Sequence, residues 1–205
     1  MNNDYVFVSR WTVDGTTGEV ADVLGDFAAL PRWWPSVYLD IWEVRLPDAQ
    51  GLGRRIKTVT KGWLPYTIRW AFEIVGSRYP NGFTIVASGD FDGRGVWTFE
   101  QRGSMVEMTY DWRLRAEKPL LRNLSFLLKP LFEANHRWAM AKGEESLRLE
   151  LARRRATSDA ARASVPAPPG PVTYAGVAIV AGAAAVGAGL AYLLVRSRRR
   201  RETSG

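Results

Sequence analysis

The chain has 205 residues, no cysteine, one histidine and a formal net charge of +7. Disulfides and thiolate chemistry are excluded, an ordinary Cys/His zinc site has no ligand set, and neither a metal nor another cofactor is expected. Residues 1–152 carry 19 Lys+Arg and 19 Asp+Glu, so all the excess lies beyond them; a nucleic-acid-binding domain is expected to show a basic face on its folded part, and no nucleic-acid partner is expected here.

Tyr5, Phe7, Ser9, Trp11 and Val13 alternate with Val6, Val8, Arg10 and Thr12, the period-two signature of a half-buried strand. Asp14-Gly15 breaks it, and Thr16 or Thr17 is placed to cap a short helix through Leu24. A second helical piece is predicted over Phe27–Trp34, closed by Pro35. Strands are expected at 38–46, 54–61, 66–76, 82–89, 95–101 and 105–115. Between them stand turn residues, among them Gly62, Pro80-Asn81-Gly82, Asp92-Gly93 and Arg102-Gly103-Ser104. In the last strand Val106, Met108, Tyr110, Trp112 and Leu114 share one face and Glu107, Thr109, Asp111, Arg113 and Arg115 the other, as in an antiparallel sheet with one wet face. Tyr66, Ile68, Trp70, Phe72 and Ile74 repeat the pattern.

From Pro119 to about Arg155 the spacing turns helical, with Leu120, Leu124, Leu127, Leu128, Leu131, Trp138 and Leu149 at intervals compatible with 3.6. Pro130 predicts a kink, or a break into a shorter and a longer helix. The order is strand, two short helices, about six strands, long helix. It gives an α+β fold in which a curved antiparallel sheet is covered by a helix. The domain is bounded at 1–155, and the Ala/Ser/Pro-rich stretch 156–171 is expected to be an extended linker.

Residues 172–195 carry no charge, and a basic tail, 196–205, follows with Arg196, Arg198, Arg199, Arg200 and Arg201. At about 1.5 Å per residue the charge-free run reaches about 36 Å, enough to cross a bilayer core of about 30 Å as a helix. A single membrane span is therefore expected. Its small-residue pairs Ala178/Gly182, Ala183/Gly187 and Ala185/Gly189 permit close helix–helix approach and so a homodimer through the span. The N-terminus shows no basic region followed by an apolar one, which favours a cytoplasmic N-terminal domain, with Arg153, Arg154, Arg155 and Arg162 adding charge on that side. The arginine tail pulls the topology the other way.

With this element order, several segments carry a resemblance: Leu30-Pro31-Arg32-Trp33-Trp34-Pro35, Gly89-Asp90-Phe91-Asp92-Gly93 before Trp97-Thr98-Phe99, Thr109-Tyr110-Asp111-Trp112, Lys118-Pro119-Leu120-Leu121, and Asn135-His136-Arg137-Trp138. The chain resembles, over about residues 4–150, the START-like (SRPBCC) superfamily, and within it the polyketide cyclase/dehydrase-like proteins. The resemblance implies a helix-grip fold whose sheet wraps the C-terminal helix around an apolar cavity, and a hydrophobic small molecule or lipid as ligand. Some members of that superfamily are cyclases or aromatases, and this remains the alternative, with a non-catalytic interaction module as a third possibility. A span is a departure from the superfamily's usual soluble form.

All nine tryptophans lie in the first 138 residues. Trp70, Trp97, Tyr110 and Trp112 fall at inward positions, facing Leu131 and Trp138 on the helix, with Asn135 and His136 as orienting polar groups. Under the resemblance Trp34 lies near the cavity mouth. For catalysis the weak candidates are His136, Tyr110 and Asp111, as proton-transfer groups. Asp90 and Asp92, flanked by glycines between two strands, read as a hairpin turn rather than a carboxylate pair.

Overall fold

A computed structural model describes residues 4–116 and 125–173. Chain contacts divide the molecule after Pro171, into Met1–Pro171 and Val172–Gly205. Strand β1 (Asp4–Asp14) is followed by helix α1 (Thr17–Gly25), a 3-10 turn at Phe27–Ala29 and helix α2 (Leu30–Trp33). Strands β2 (Tyr38–Arg45), β3 (Arg55–Lys61), β4 (Thr67–Ser77), β5 (Gly82–Gly89), β6 (Phe91–Arg102) and β7 (Met105–Ala116) come next. The long helix α3 (Ser125–Arg155) and a short α4 (Asp159–Ser164) complete the order.

The seven strands form one sheet in the order β1-β7-β6-β5-β4-β3-β2, every neighbouring pair antiparallel. Each of β2 to β7 follows its neighbour by a short connection, and only β1 joins out of sequence, against β7. Register shifts in β2, between Tyr38 and Asp40 and between Glu43 and Arg45, and in β4, between Ile74 and Gly76, bend their strands. The α+β architecture, with a curved seven-stranded sheet and a long helix, is the expected one.

Alternation decides which side of the sheet is buried. Val13, Val106 and Met108 are almost fully buried on the concave side, while Val6 and Val8 on the convex side are more than half exposed. The core fills the space between that concave side, helices α1 and α2, and α3, which packs on β1, α1 and α2. Thr16 caps α1 in a reciprocal capping box: the Glu19 N–H donates to Thr16 Oγ1, and the Thr16 N–H donates to the Glu19 carboxylate at 2.8 Å.

Three expectations change. The β5–β6 hairpin turns at Gly89-Asp90, not at Asp92-Gly93, and β6 begins four residues earlier than predicted, at Phe91. Gly89 takes φ +131°, where side-chain-bearing residues are strained, and Asp90 is fixed by the Arg69 N–H donating to its carboxylate. Asp92 and Gly93 instead pair with Arg115 and Leu114 of β7. Second, of the kink or break predicted at Pro130, the break does not occur: α3 continues through it; the proline is the sixth residue of the helix, so its missing N–H removes one bond close to an end. Third, part of the expected linker is helical, with Ser158 capping α4 and Arg153 donating to the Pro166 carbonyl at 2.9 Å.

Lys118-Pro119-Leu120-Leu121, the side chains of Leu124, Leu127 and Leu128, and the span and tail from residue 174 onward lie outside the described residues. Among the described residues no helix is long and apolar enough to cross a membrane.

Candidate functional site

The inner face of α3 divides at Met140. Toward the C-terminus, Gly143, Ser146, Leu147, Glu150 and Leu151 are buried. Gly143 has no room for a side chain, because a methyl there would lie 2.3 Å from Trp34 Cζ2 and 2.7 Å from Trp11 Cη2. Glu150 is 1% exposed and accepts two hydrogen bonds from Arg32 of α2, at 2.7 and 2.9 Å, with Arg153 and Arg154 also bonded to it. Burial pushes this carboxyl up, but the hydrogen bonds from Arg32 and Arg154 outweigh it and hold the group below its ordinary value. Arg154 also reaches Asp26, and Arg155 pairs bidentately with Glu19. The triplet 153–155 is thus bound into the domain's own ion pairs, whereas the sequence places it in the basic flank of the span.

Toward the N-terminus of α3 the helix stands off the sheet, and the space is a cavity of about 210 Å³. The helix contributes Phe132, Asn135, His136, Ala139 and Met140. Trp97, Tyr110 and Trp112 form the facing wall; Tyr110 stacks on Trp97 at 4.4 Å and 15°, and on Trp112 at 5.6 Å and 17°. Trp70 extends this wall toward β3, its indole N–H donating to Thr60 Oγ1 at 3.0 Å. At one end Trp34 meets Tyr38 edge-on at 5.3 Å. At the other, Tyr5 and Tyr66 both contact the Phe132 ring, and Phe7 stacks on His136 at 4.4 Å.

The polar groups of the lining are few. Asn135 Oδ1 accepts from the main-chain N–H of Trp63, at 2.9 Å, and of Leu64, at 3.3 Å, and so ties the β3–β4 loop to the helix. His136 Nε2 shares a hydrogen bond with Ser9 Oγ at 3.2 Å. Burial, helped by the neighbouring Arg137 guanidinium, depresses the imidazole to about 4, so it is neutral at physiological pH. Burial pushes the Tyr66 phenol up to about 12 and raises those of Tyr38 and Tyr110 further. Among the described residues no Asp or Glu lines the cavity, and no group of three or more His, Asp or Glu is placed to hold a metal ion.

No family model and no curated relative matches the chain. Solved structures do. The ZhuI aromatase/cyclase from Streptomyces sp. R1128 is 13% identical with a TM-score of 0.60, over 76% of this chain and 98% of its own. A protein from Thermus thermophilus is 15% identical with a TM-score of 0.58, over 74% of this chain and all of its own. The di-domain ARO/CYC BexL from the BE-7585A biosynthetic pathway is 14% identical with a TM-score of 0.53, over 82% of this chain and 52% of its own. At such identities the likeness is one of fold. The fold resembles the START-like helix-grip of polyketide-cyclase-like proteins.

Within this helix-grip, seven of the residues singled out by sequence meet around the cavity: Trp34, Trp70, Trp97, Tyr110, Trp112, Asn135 and His136. Leu131 and Trp138 are not on its lining, and Leu131 is 37% exposed. Asp111 stands on the opposite face of β7, where Arg113 donates two hydrogen bonds to it at 2.9 Å, so the three weak catalytic candidates are not assembled at one place. Sequence reasoning missed Tyr5, Tyr38, Tyr66 and Phe132. The strand alternation of β1 already pointed Tyr5 inward, but its tie to the helix does not register in a residue pattern.

Proposed function

We propose that this chain is a START-like binding domain, held at a membrane by residues 172–195, whose cavity takes an uncharged hydrophobic small molecule. The observation that carries this is the cavity itself: space left between sheet and helix, walled by aromatic and aliphatic side chains, with only a handful of polar groups. Such a composition suits a ligand site, in which apolar burial supplies affinity, about 0.8 kcal/mol per CH₂, and sparse polar groups set orientation. The volume of about 210 Å³ falls between the about 150 Å³ that admits benzene and the about 300 Å³ where drug-sized sites begin. A compact molecule fits this range better than a long-chain lipid.

Cyclase chemistry needs paired proton-transfer groups around the bound chain. Among the described residues the lining offers a neutral His136 and tyrosines but no carboxylate, which supports binding over turnover. The test is native mass spectrometry and solvent extraction of the full chain purified under mild conditions. A hydrophobic compound should co-purify near one per chain, and Ala139→Leu, which fills the cavity, should empty it. Protein that is empty and also refuses added hydrophobic probes would contradict the proposal. For the anchor, alkaline washing of membranes should leave the full chain in the pellet and release a chain ending at Pro171.

A further inference from the structure

Tyr38 and Tyr110 come from β2 and β7, which have four strands between them in the sheet, yet line the same cavity. Both rings are immobilised by aromatic neighbours, Tyr38 by Trp34 and Tyr110 by Trp97 and Trp112. A buried phenol held this way ordinarily finds a protein partner for its O–H. Trp70, in the same wall, has found one in Thr60. Among the described residues neither phenol has: only burial, and for Tyr110 the nearby Tyr38, raises them, with no hydrogen bond contributing. Both phenols thus line one cavity without a protein partner for the hydroxyl among the described residues, and both remain protonated donors at physiological pH.

The backbone makes room for this pair. A methyl on Gly95 of β6 would lie 2.6 Å from Tyr110 Oη, so the hydroxyl occupies space that any other residue would fill. The rest of the lining is mostly aromatic and aliphatic; His136 is neutral, and Lys61 is the one lysine among the described lining residues.

We propose that Tyr38 and Tyr110 are the recognition element of the cavity, donating hydrogen bonds to the carbonyl oxygen of a compact, uncharged ring compound. A carbonyl oxygen accepts two such bonds, and the aromatic walls accommodate the ring. This rests on the cavity being a ligand site, and it names the chemical class of the ligand.

The experiment compares 1-tetralone with its hydrocarbon counterpart, 1,2,3,4-tetrahydronaphthalene, titrated into the full chain and followed by tryptophan fluorescence under one fixed detergent condition. The ketone should bind roughly 10-fold more tightly than the hydrocarbon, as two hydrogen bonds of ordinary net strength allow. Tyr38→Phe and Tyr110→Phe should each cut that preference several-fold, and the double variant should abolish it while leaving hydrocarbon affinity within about two-fold. Equal binding of both probes, or a preference that survives the double variant, overturns the carbonyl proposal alone. Binding of neither probe overturns the ligand-site reading and this proposal with it. Thermal melts give a second check: removing a hydroxyl without a protein partner should leave the Tm of Tyr110→Phe unchanged or higher, and a marked drop would show that the hydroxyl serves the fold instead.

Discussion

Between Phe132 and Met140, α3 is one wall of a cavity; between Gly143 and Arg155 the same helix is packed solid and bound by ion pairs to α1 and α2. The difference lies in what faces it. The first stretch lines the cavity with Trp97, Tyr110 and Trp112, whose rings stack on one another. The second meets Trp11 and Trp34 at a residue with no side chain, and meets Arg32 at a buried carboxylate. A single helix can serve stability and binding separately when its residues change character one turn apart.

The largest effect that tests this division is at Glu150. Glu150→Ala should lower unfolding stability by about 2–4 kcal/mol, since one buried carboxylate gathers three guanidinium groups. Arg32→Ala should cost only about 1 kcal/mol, because Arg32 is more than half exposed and Glu150 keeps Arg153 and Arg154. Urea denaturation midpoints give both values, and a reversed order would mean the carboxylate is not the centre of the clamp.

Next comes size. Gly143→Ala should destabilise by about 1–3 kcal/mol through overpacking against Trp34. Ala139→Leu, one turn earlier and far bulkier, should change stability by less than about 1 kcal/mol because the cavity receives it, and should abolish ligand binding. If both substitutions behave alike, the two halves are not distinct.

Acid should separate them too. The unfolded chain takes up the His136 proton near pH 6.5, the folded protein only near 4. Protonation therefore favours unfolding, and stability should fall as pH drops from about 6.5 toward 4, with His136→Gln flattening that slope. In the clamped half, the hydrogen bonds from Arg155 hold Glu19 at about 2, and Glu150 is also depressed. Their contribution is complete above about pH 4.5 and is lost at lower pH. Stability measured against pH in the wild type and in His136→Gln distinguishes the two windows. The smallest effect belongs to Leu131→Ala, within about 0.5 kcal/mol and silent on binding, as for an exposed residue.

The strands were legible because their side chains alternate and their turns use residues with special backbone preferences. Asp92-Gly93 misled for the same reason: it has the composition of a turn, but Gly89-Asp90 holds the tighter geometry. The inner face of α3 was mostly illegible. Counting leucines placed Leu131, Trp138 and Leu149 inward, whereas Leu131 is exposed and the buried positions are Met140, Gly143, Ser146, Leu147, Glu150 and Leu151. Glycine and glutamate carry no apolar signal, and their burial depends on Trp34 and Arg32, which lie more than a hundred residues away. The aromatic wall was readable because three of its members sit on strands with clean alternation. Tyr38 escaped notice, since β2 is bulged twice and shows no regular period.

The stacked rings of Trp97, Tyr110 and Trp112 also make the domain its own optical sensor. Chromophores in face-to-face contact share their excitation, so their near-ultraviolet circular dichroism depends on the angles between them. A guest that presses on any one ring alters the signal of the set, and occupancy can be followed without a label.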